Sequence, residues 1–273
     1  MMQRKCFLMM RSYAVMMEEK MKHLYILLTL GIGTCSWMLK RAFENNLVEN
    51  SIPLLQDAAG KERTIFFISD IHRRKISYKW IKTIPPCDLV IIGGDIMEKG
   101  VPFSRVEDNL KCLQEIGPLI FVYGNNDEEI ERERLSDLLH KNNVLILENS
   151  SVKWHFNDGG FIWISGLGDI SYEKDDLVQA LKGIPEHEKK ILVSHDPSVI
   201  NQLNAQLPTI DLILSGHTHG GQIRIFGFGP YQLGGVSSFN STVHLISNGY
   251  GTTFLPFRLG AKSEANYITL TGN

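Results

Sequence analysis

An α/β fold of two mixed β-sheets packed face to face, with helices outside, is predicted by three observations. Short apolar runs recur along residues 61–273. Helical patterns alternate with them over most of that length, before a strand-rich finish. Five of the runs carry a carboxylate, carboxamide or imidazole just beyond their C-terminal ends. Apolar runs of this length read as buried strands, and strands alternating with amphipathic helices call for a layered sheet core.

In chain order, residues 1–42 differ in kind from the rest. Residues 24–39 (LYILLTLGIGTCSWML) carry no charge and lie between Lys20 and Lys22 on one side and Lys40 and Arg41 on the other. Sixteen residues is at the lower limit for spanning a bilayer, where about 17–25 is usual. A single-pass membrane anchor is the favoured reading. A cleaved signal peptide lacks its small-residue site, and a buried helix fits poorly between basic flanks. Because Lys and Arg sit on both sides, the face of the membrane stays undecided. Residues 43–60 read as a linker into the domain at 61–273.

Within the domain, strands are predicted at 64–69, 89–93, 119–123, 144–147, 152–156, 161–165, 191–194, 211–215, 222–226, 243–247 and about 265–270. The helix at 105–116 places Val106, Leu110, Leu113 and Ile116 on one face. A second helix, 128–141, is acidic in its first turn, which suits the helix dipole. Further helices are predicted at about 175–182 and at 198–205, and Asn157-Asp158-Gly159-Gly160 reads as a turn.

Net charge is −2 and charged residues make up 21% of the chain, which gives no basis for stable nucleic-acid binding. Of the four cysteines, only Cys87 and Cys112 lie outside the N-terminal region, so there is no disulfide framework.

The chemistry-bearing residues sit at the strand ends. They are Asp70 and His72; Asp95; Asn125; His195; and His217 and His219, the last two in Gly216-His217-Thr218-His219-Gly220-Gly221-Gln222. Each one alone reads more simply as a cap, a turn residue or a hydrogen-bonded imidazole. Together they look like ligands, because α/β sheets bind at the C-terminal edge of their strands. Seven ligands are too many for one metal and suit two that share a carboxylate. Carboxylate and imidazole donors without thiolate favour Mn, Fe or Zn.

The motifs Asp70-x-His72, Gly93-Gly94-Asp95, Gly124-Asn125-x-Asp127, His195-Asp196-Pro197 and Gly216–Gln222, in this order, resemble the calcineurin-like binuclear metallophosphoesterases. The chain is most similar to their small single-domain, membrane-associated bacterial branch, over about residues 62–272. The similarity extends through Phe226–Pro230, Asn248–Thr253 and Leu255–Arg258. The resemblance implies the αββα form of the two-sheet fold. It implies one metal held by Asp70, His72, Asp95 and His219, and another by Asp95, Asn125, His195 and His217, with Asp95 bridging. Mn is the favoured metal. It further implies phosphate-ester hydrolysis by a metal-bridging hydroxide, with diesters preferred over monoesters.

One position departs from the family pattern. Where the family carries a catalytic histidine that protonates the leaving oxygen, this chain has Asn126. A carboxamide can hydrogen-bond phosphate but supplies no proton near neutral pH. That points to a slower enzyme, a good leaving group or a substitute acid. It also keeps open an alternative: a catalytically weak metal-bound scaffold that binds a partner or phosphoryl ligand. A protein phosphatase ranks last, because the chain leaves little room for a docking surface. Asp95 and Asn126 are the catalytic candidates. Arg73 and Arg74, followed by Lys75, are read as substrate contacts for a phosphate ester, with lipid and nucleotide esters both in view. Phe226, Phe228, Tyr231 and Phe239 are read as core, with a loop that dips into lipid or stacks on a base as the alternative. His244 has no assigned partner, and His140, His155 and His187 read as surface or structural residues.

Overall fold

The computed structural model describes residues 2–55, 61–157, 159–204 and 207–272, without the side chains of residues 2–9, 11 and 12. Two six-stranded mixed sheets form the core. The first contains β1 (Leu47–Leu55), β2 (Arg63–Ile68), β3 (Leu89–Gly93), β4 (Leu119–Val122), β5 (Leu145–Ile146) and β12 (Ala265–Gly272), in the order β1-β12-β2-β3-β4-β5. The second contains β6 (Ser150–His155), β7 (Phe161–Gly166), β8 (Lys190–Val193), β9 (Leu212–Ser215), β10 (Gly235–Phe239) and β11 (Thr242–Ile246), in the order β10-β11-β9-β8-β7-β6. Strands β2 to β5 run parallel in one sheet. Strands β7, β8, β9 and β11 do so in the other. Their C-terminal ends therefore leave each sheet along one edge.

The two-residue period of a strand explains why these runs are apolar throughout. Ile65, Phe67, Leu89, Ile91, Ile120 and Val122 pack against Ile162, Ile164, Ile191, Val193, Leu212 and Leu214, forming the layer between the sheets. The alternate residues Phe66, Ile68, Val90, Ile92 and Phe121 face the helical layer, where Val106, Leu110 and Leu113 of α3 (Phe103–Gln114) meet them. On the far side, Leu192 and Ile213 pack against Leu177, Ala180 and Val199.

Several elements differ from the sequence reading. Residues 47–55, taken as linker, form β1, which pairs in parallel with β12; residues 56–60 lie outside the described residues. The helix predicted at 128–141 is two pieces, α4 (Asn125–Glu128) and α5 (Arg132–Lys141), because Glu131 at φ −64°, ψ 77° breaks the helical run. A short α2 (Tyr78–Ile81), capped by the Ser77 side chain, had no clear periodic pattern. The helix at about 175–182 is only α6 (Leu177–Ala180). The helix at 198–205 is a 3-10 helix over Pro197–Gln202; Ala205 lies outside the described residues, as does Asp158 of the predicted turn. No strand forms at 222–226. Gln222 and Phe226 take φ 53° and 51°, which breaks extended backbone, and only isolated bridges remain.

The N-terminal segment is helical over α1 (Met2–Ala42). Among the described residues, no helix is long and apolar enough to cross a membrane. Within α1 the sixteen uncharged residues 24–39 rise about 24 Å, against a hydrocarbon core of about 30 Å.

His244 in β11 is buried, with Nε2 3.1 Å from Ser215 Oγ. It does not line the cleft that opens over the strand ends, so it is no substitute acid. Burial lowers its pKa to about 4, below its ordinary value of about 6.5. The unfolded chain therefore takes up this proton first on acidification. The stability that neutral His244 contributes is present above about pH 6.5 and falls away toward pH 4. Replacing His244 by Asn should reduce the loss of stability between pH 7.5 and 4.5 by about 2 kcal/mol, read as the change in urea-unfolding free energy relative to the wild type.

Candidate metal centre

The common edge of the two sheets gathers all seven predicted ligands. Asp70 and His72 follow β2, Asp95 follows β3, Asn125 opens α4 after β4, His195 follows β8, and His217 and His219 follow β9. Asp70, His72, Asp95, His195 and His219 are all buried. Five of the seven, Asp70, His72, Asp95, His217 and His219, adopt positive φ between 50° and 68°. Left-handed backbone at a non-glycine residue costs on the order of 1–2 kcal/mol each. Concentrated at one edge, this strain turns each strand end sharply so that its side chain points inward. Two glycines make room: a Cβ on Gly94 would lie 2.4 Å from His195 Nδ1, and one on Gly216 would lie 2.5 Å from Asp70 Oδ2.

Asp70, His72 and His219 form one group able to hold a metal ion, and Asp70, Asp95 and His195 form another. In the first, His72 Nε2 and His219 Nε2 face each other at 3.0 Å, and His219 Nε2 lies 3.4 Å from Asp70 Oδ1. In the second, His195 Nε2 lies 3.4 Å from Asp95 Oδ2 and 3.9 Å from Asp70 Oδ1. Asp70 is common to both groups. Asp95, expected as the bridge, also faces both, since its Oδ2 is 3.7 Å from His72 Nε2. Asn125 Oδ1 and His217 Nδ1 sit 2.9 Å apart.

The residues fit divalent cations on the evidence of one atom in particular. His195 Nδ1 donates to the carbonyl of Gly93 at 2.8 Å, which leaves Nε2 as a buried nitrogen with no hydrogen-bond partner, aimed at two carboxylates. Two imidazole nitrogens at 3.0 Å are likewise suited to sharing a cation. Glu98 Oε2 stands 3.1 Å from His72 Nδ1, the carboxylate–histidine arrangement that orients a ligating ring.

Electrostatics agree. Burial pushes Asp70 and Asp95 upward, yet the surrounding imidazoles, His219 and His195 for Asp70 and His195 for Asp95, hold both below the usual carboxylate range. Burial disfavours a charged His195, but Asp95 beside it drives its pKa well above the ordinary value. His219, with burial dominant, falls to about 3. The cluster is built for ionised carboxylates balanced by positive charge.

Several supporting residues escaped sequence reading. Asp127 accepts hydrogen bonds from the backbone N–H groups of Asp95, Met97 and Gly124, fixing the β3 and β4 ends together. Burial and the Asp95 charge raise its pKa to about 8. Arg258, fully buried, donates to the carbonyls of His219, Asn248, Gly249 and Gly251. Glu264 accepts from the N–H and Nδ2 of Asn248. Asp127 and Arg258 stand in motifs already singled out, but spacing assigns none of the three its role, because most of their partners lie on other loops.

Asn126 lies at the centre, its Nδ2 donating to Asp95 Oδ2 at 2.7 Å and its N–H to Asp95 Oδ1 at 2.8 Å. Neither Arg73 nor Arg74, expected as substrate contacts, lines the cleft over the centre. Arg74 is buried and spends its guanidinium on the carbonyls of Phe43, Glu44 and Tyr250. Arg73 pairs with Glu98. Lys75 pairs with Asp108. The cleft over the centre, about 480 Å³, is lined by Asp95, Asn125, Asn126, His217 and His219 on its floor and by Ile223, Tyr231, Phe254 and Leu255 among its walls. The aromatics expected in the core are exposed instead: Phe226 is 96%, Phe228 82%, Tyr231 56% and Phe239 50% exposed. His140, His155 and His187 are exposed, as read from the sequence.

Two facing mixed sheets that converge carboxylates, carboxamide and imidazoles on one edge define an αββα metal-site hydrolase fold. The calcineurin-like phosphoesterase family model matches residues 63–221, and the chain belongs to that family. Bacillus subtilis (strain 168) protein YpbG is 42% identical over 260 residues, covering 94% of this chain and 99% of its own. The metallophosphoesterase YkoQ of the same organism is 27% identical, covering 89% of this chain and 98% of its own. A Helicobacter pylori (strain ATCC 700392 / 26695) metallophosphoesterase is 30% identical, covering 84% of this chain and 66% of its own.

Replacing Asp127 by Ala would leave three buried N–H groups without their acceptor. The variant should lose at least about 2 kcal/mol of stability and bind less metal, measured by urea unfolding and elemental analysis after loading with Mn²⁺.

Proposed function

We propose that the protein is a metal-dependent phosphohydrolase that uses two divalent cations, Mn before Fe or Zn, and prefers phosphodiesters. The observation that carries this reading is the buried His195 Nε2, without a hydrogen-bond partner and aimed at Asp70 and Asp95 within two overlapping ligand groups. Asp70, His72, Asp95 and His219 would hold one cation, and Asp95, Asn125, His195 and His217 the other. A donor set of carboxylate, carboxamide and imidazole suits Mn, Fe and Zn. Bound there, two cations supply charge for a phosphoryl group and a nucleophile from water at neutral pH.

The chain's own residues do the rest. Asp95 neutralises charge and orients Asn126. Asn126 supplies an N–H donor at the cleft floor but has no proton to give. The absence of Lys and Arg among the cleft-lining residues supports a diester: a monoester dianion would gain from a cationic partner, whereas a diester carries one charge fewer and a second substituent for the apolar wall. Asn126 also favours a second reading, a metal-bound scaffold with weak turnover.

The test is hydrolysis of bis(p-nitrophenyl) phosphate by the full chain with Mn²⁺, beside Asp95→Ala. This activated diester needs little acid assistance. Turnover in the wild type, lost in the variant, supports the hydrolase. Bound metal without turnover supports the scaffold. No bound metal removes the site assignment.

A second measurement isolates Asn126. General acid catalysis is typically worth about 10²–10⁴-fold. Asn126→His should raise kcat by about 10²-fold on a diester with an unactivated alcohol leaving group. The p-nitrophenyl diester should change much less.

A further inference from the structure

The mouth of the metal centre is edged by apolar side chains that the fold holds out in solvent. Phe226 and Phe228 stand exposed on one loop, between the cleft-lining Ile223 and Pro230, and Phe254 and Leu255, cleft-lining residues 97% and 60% exposed, on another. Both loops are built to do this. Reciprocal backbone hydrogen bonds between Ile225 and Phe228 close a tight turn with Phe226 at its tip. The Arg224 guanidinium binds the carbonyls of Gly220, Gly227 and Tyr231 beneath it. The second loop is fixed by the Gln222 side chain, which donates to the carbonyls of Thr253 and Leu255 and accepts from the Thr253 N–H.

A third apolar element ends beside them. The N–H of Arg258 donates to the carbonyl of Met38 at 3.1 Å, which joins the end of α1 to the loop that carries Phe254 and Leu255. Upstream, Leu24, Tyr25, Ile26, Leu27 and Leu28 are all exposed. Five consecutive exposed residues cover every face of a helix. A protein groove takes one face of a helix, whereas acyl chains take all of them. Lys20, Lys22, Lys40 and Arg41 flank the stretch; Lys22 pairs with Glu18 and Glu19 and Arg41 with Glu44, which leaves Lys20 and Lys40 as the flanking cations to meet anionic headgroups. A helix apolar on every face is suited to burial among acyl chains, with its basic flanks at the headgroups.

We propose that the rim formed by Phe226, Phe228, Phe254 and Leu255, together with residues 24–39, is a docking surface for an anionic lipid bilayer. It turns the mouth of the metal centre toward the membrane, so that the substrates presented to it are phosphate esters whose apolar part stays in the lipid. The substrate clause rests on the proposed hydrolase; the docking surface does not.

The experiment is co-sedimentation of the full chain with vesicles of phosphatidylcholine alone and of phosphatidylcholine with phosphatidylglycerol. The variants are Phe226→Ser/Phe228→Ser and Leu27→Ser/Leu28→Ser. The wild type should partition onto the phosphatidylglycerol vesicles, and each double variant should lower its partition coefficient about tenfold with bound metal unchanged. Binding confined to phosphatidylcholine, or no binding to either vesicle, overturns the proposal. Wild-type binding by Phe226→Ser/Phe228→Ser removes the rim from it. A dimer in lipid-free solution that the Phe variant abolishes would assign the face to a second copy instead. Partition is read without turnover, so failure of the bis(p-nitrophenyl) phosphate assay leaves this test standing, and the reverse also holds.

Discussion

Two ionised carboxylates in a nearly water-free layer are the constraint on which the rest of this structure depends. Asp70 and Asp95 are 0% and 2% exposed, and burial alone would drive both toward the neutral acid. They stay ionised only because positive charge is brought to them. His195 and His72, whose pKa values are raised there, bring it, and the unpartnered nitrogen of His195 marks where further positive charge belongs. The positive φ angles of five ligand candidates and the close approach of Gly94 and Gly216 follow from the same demand, since side chains from several strands must converge within a few ångströms.

Such convergence needs a stiff base. The layer between the sheets is aliphatic and aromatic, and the alternate faces of the same strands are sealed by helices. A strand buried on both sides cannot slip by one residue without exchanging its two faces. The register of each strand end, and with it the direction of each ligand, is therefore fixed by packing over the whole sandwich. Asp127 and Arg258 then tie neighbouring strand-end loops to one another, converting sheet rigidity into site rigidity.

Above this polar floor the cleft changes character. Its walls are apolar, its floor carries Asn126 where a proton donor would otherwise stand, and its lining includes no Lys or Arg. The arginines nearest in sequence to His72 serve the fold: Arg74 clamps the segment before β1 to the loop at Tyr250, and Arg73 neutralises Glu98. The site thus concentrates its charge on the metal-binding floor and leaves its rim to hydrophobic contact.

The sequence by itself determined the layered α/β class, most strands, the face of α3 and the seven candidate ligands. All of these follow from local signals: apolar runs of strand length, a helical period and polar residues at strand ends. Tertiary structure decided what depends on distant partners. Residues 47–55 become a strand because β12, more than two hundred residues later, offers its edge. Arg74 is structural because backbone carbonyls from Phe43 and Tyr250 reach it. Phe226 and Phe228 are exposed because Arg224 and the Ile225–Phe228 turn hold their loop outward, whereas hydrophobicity alone placed them in the core. Local periodicity records which face of a segment avoids water. It carries no record of which other segment meets that face, and that meeting decides roles such as those of Asp127, Arg258 and the aromatic rim.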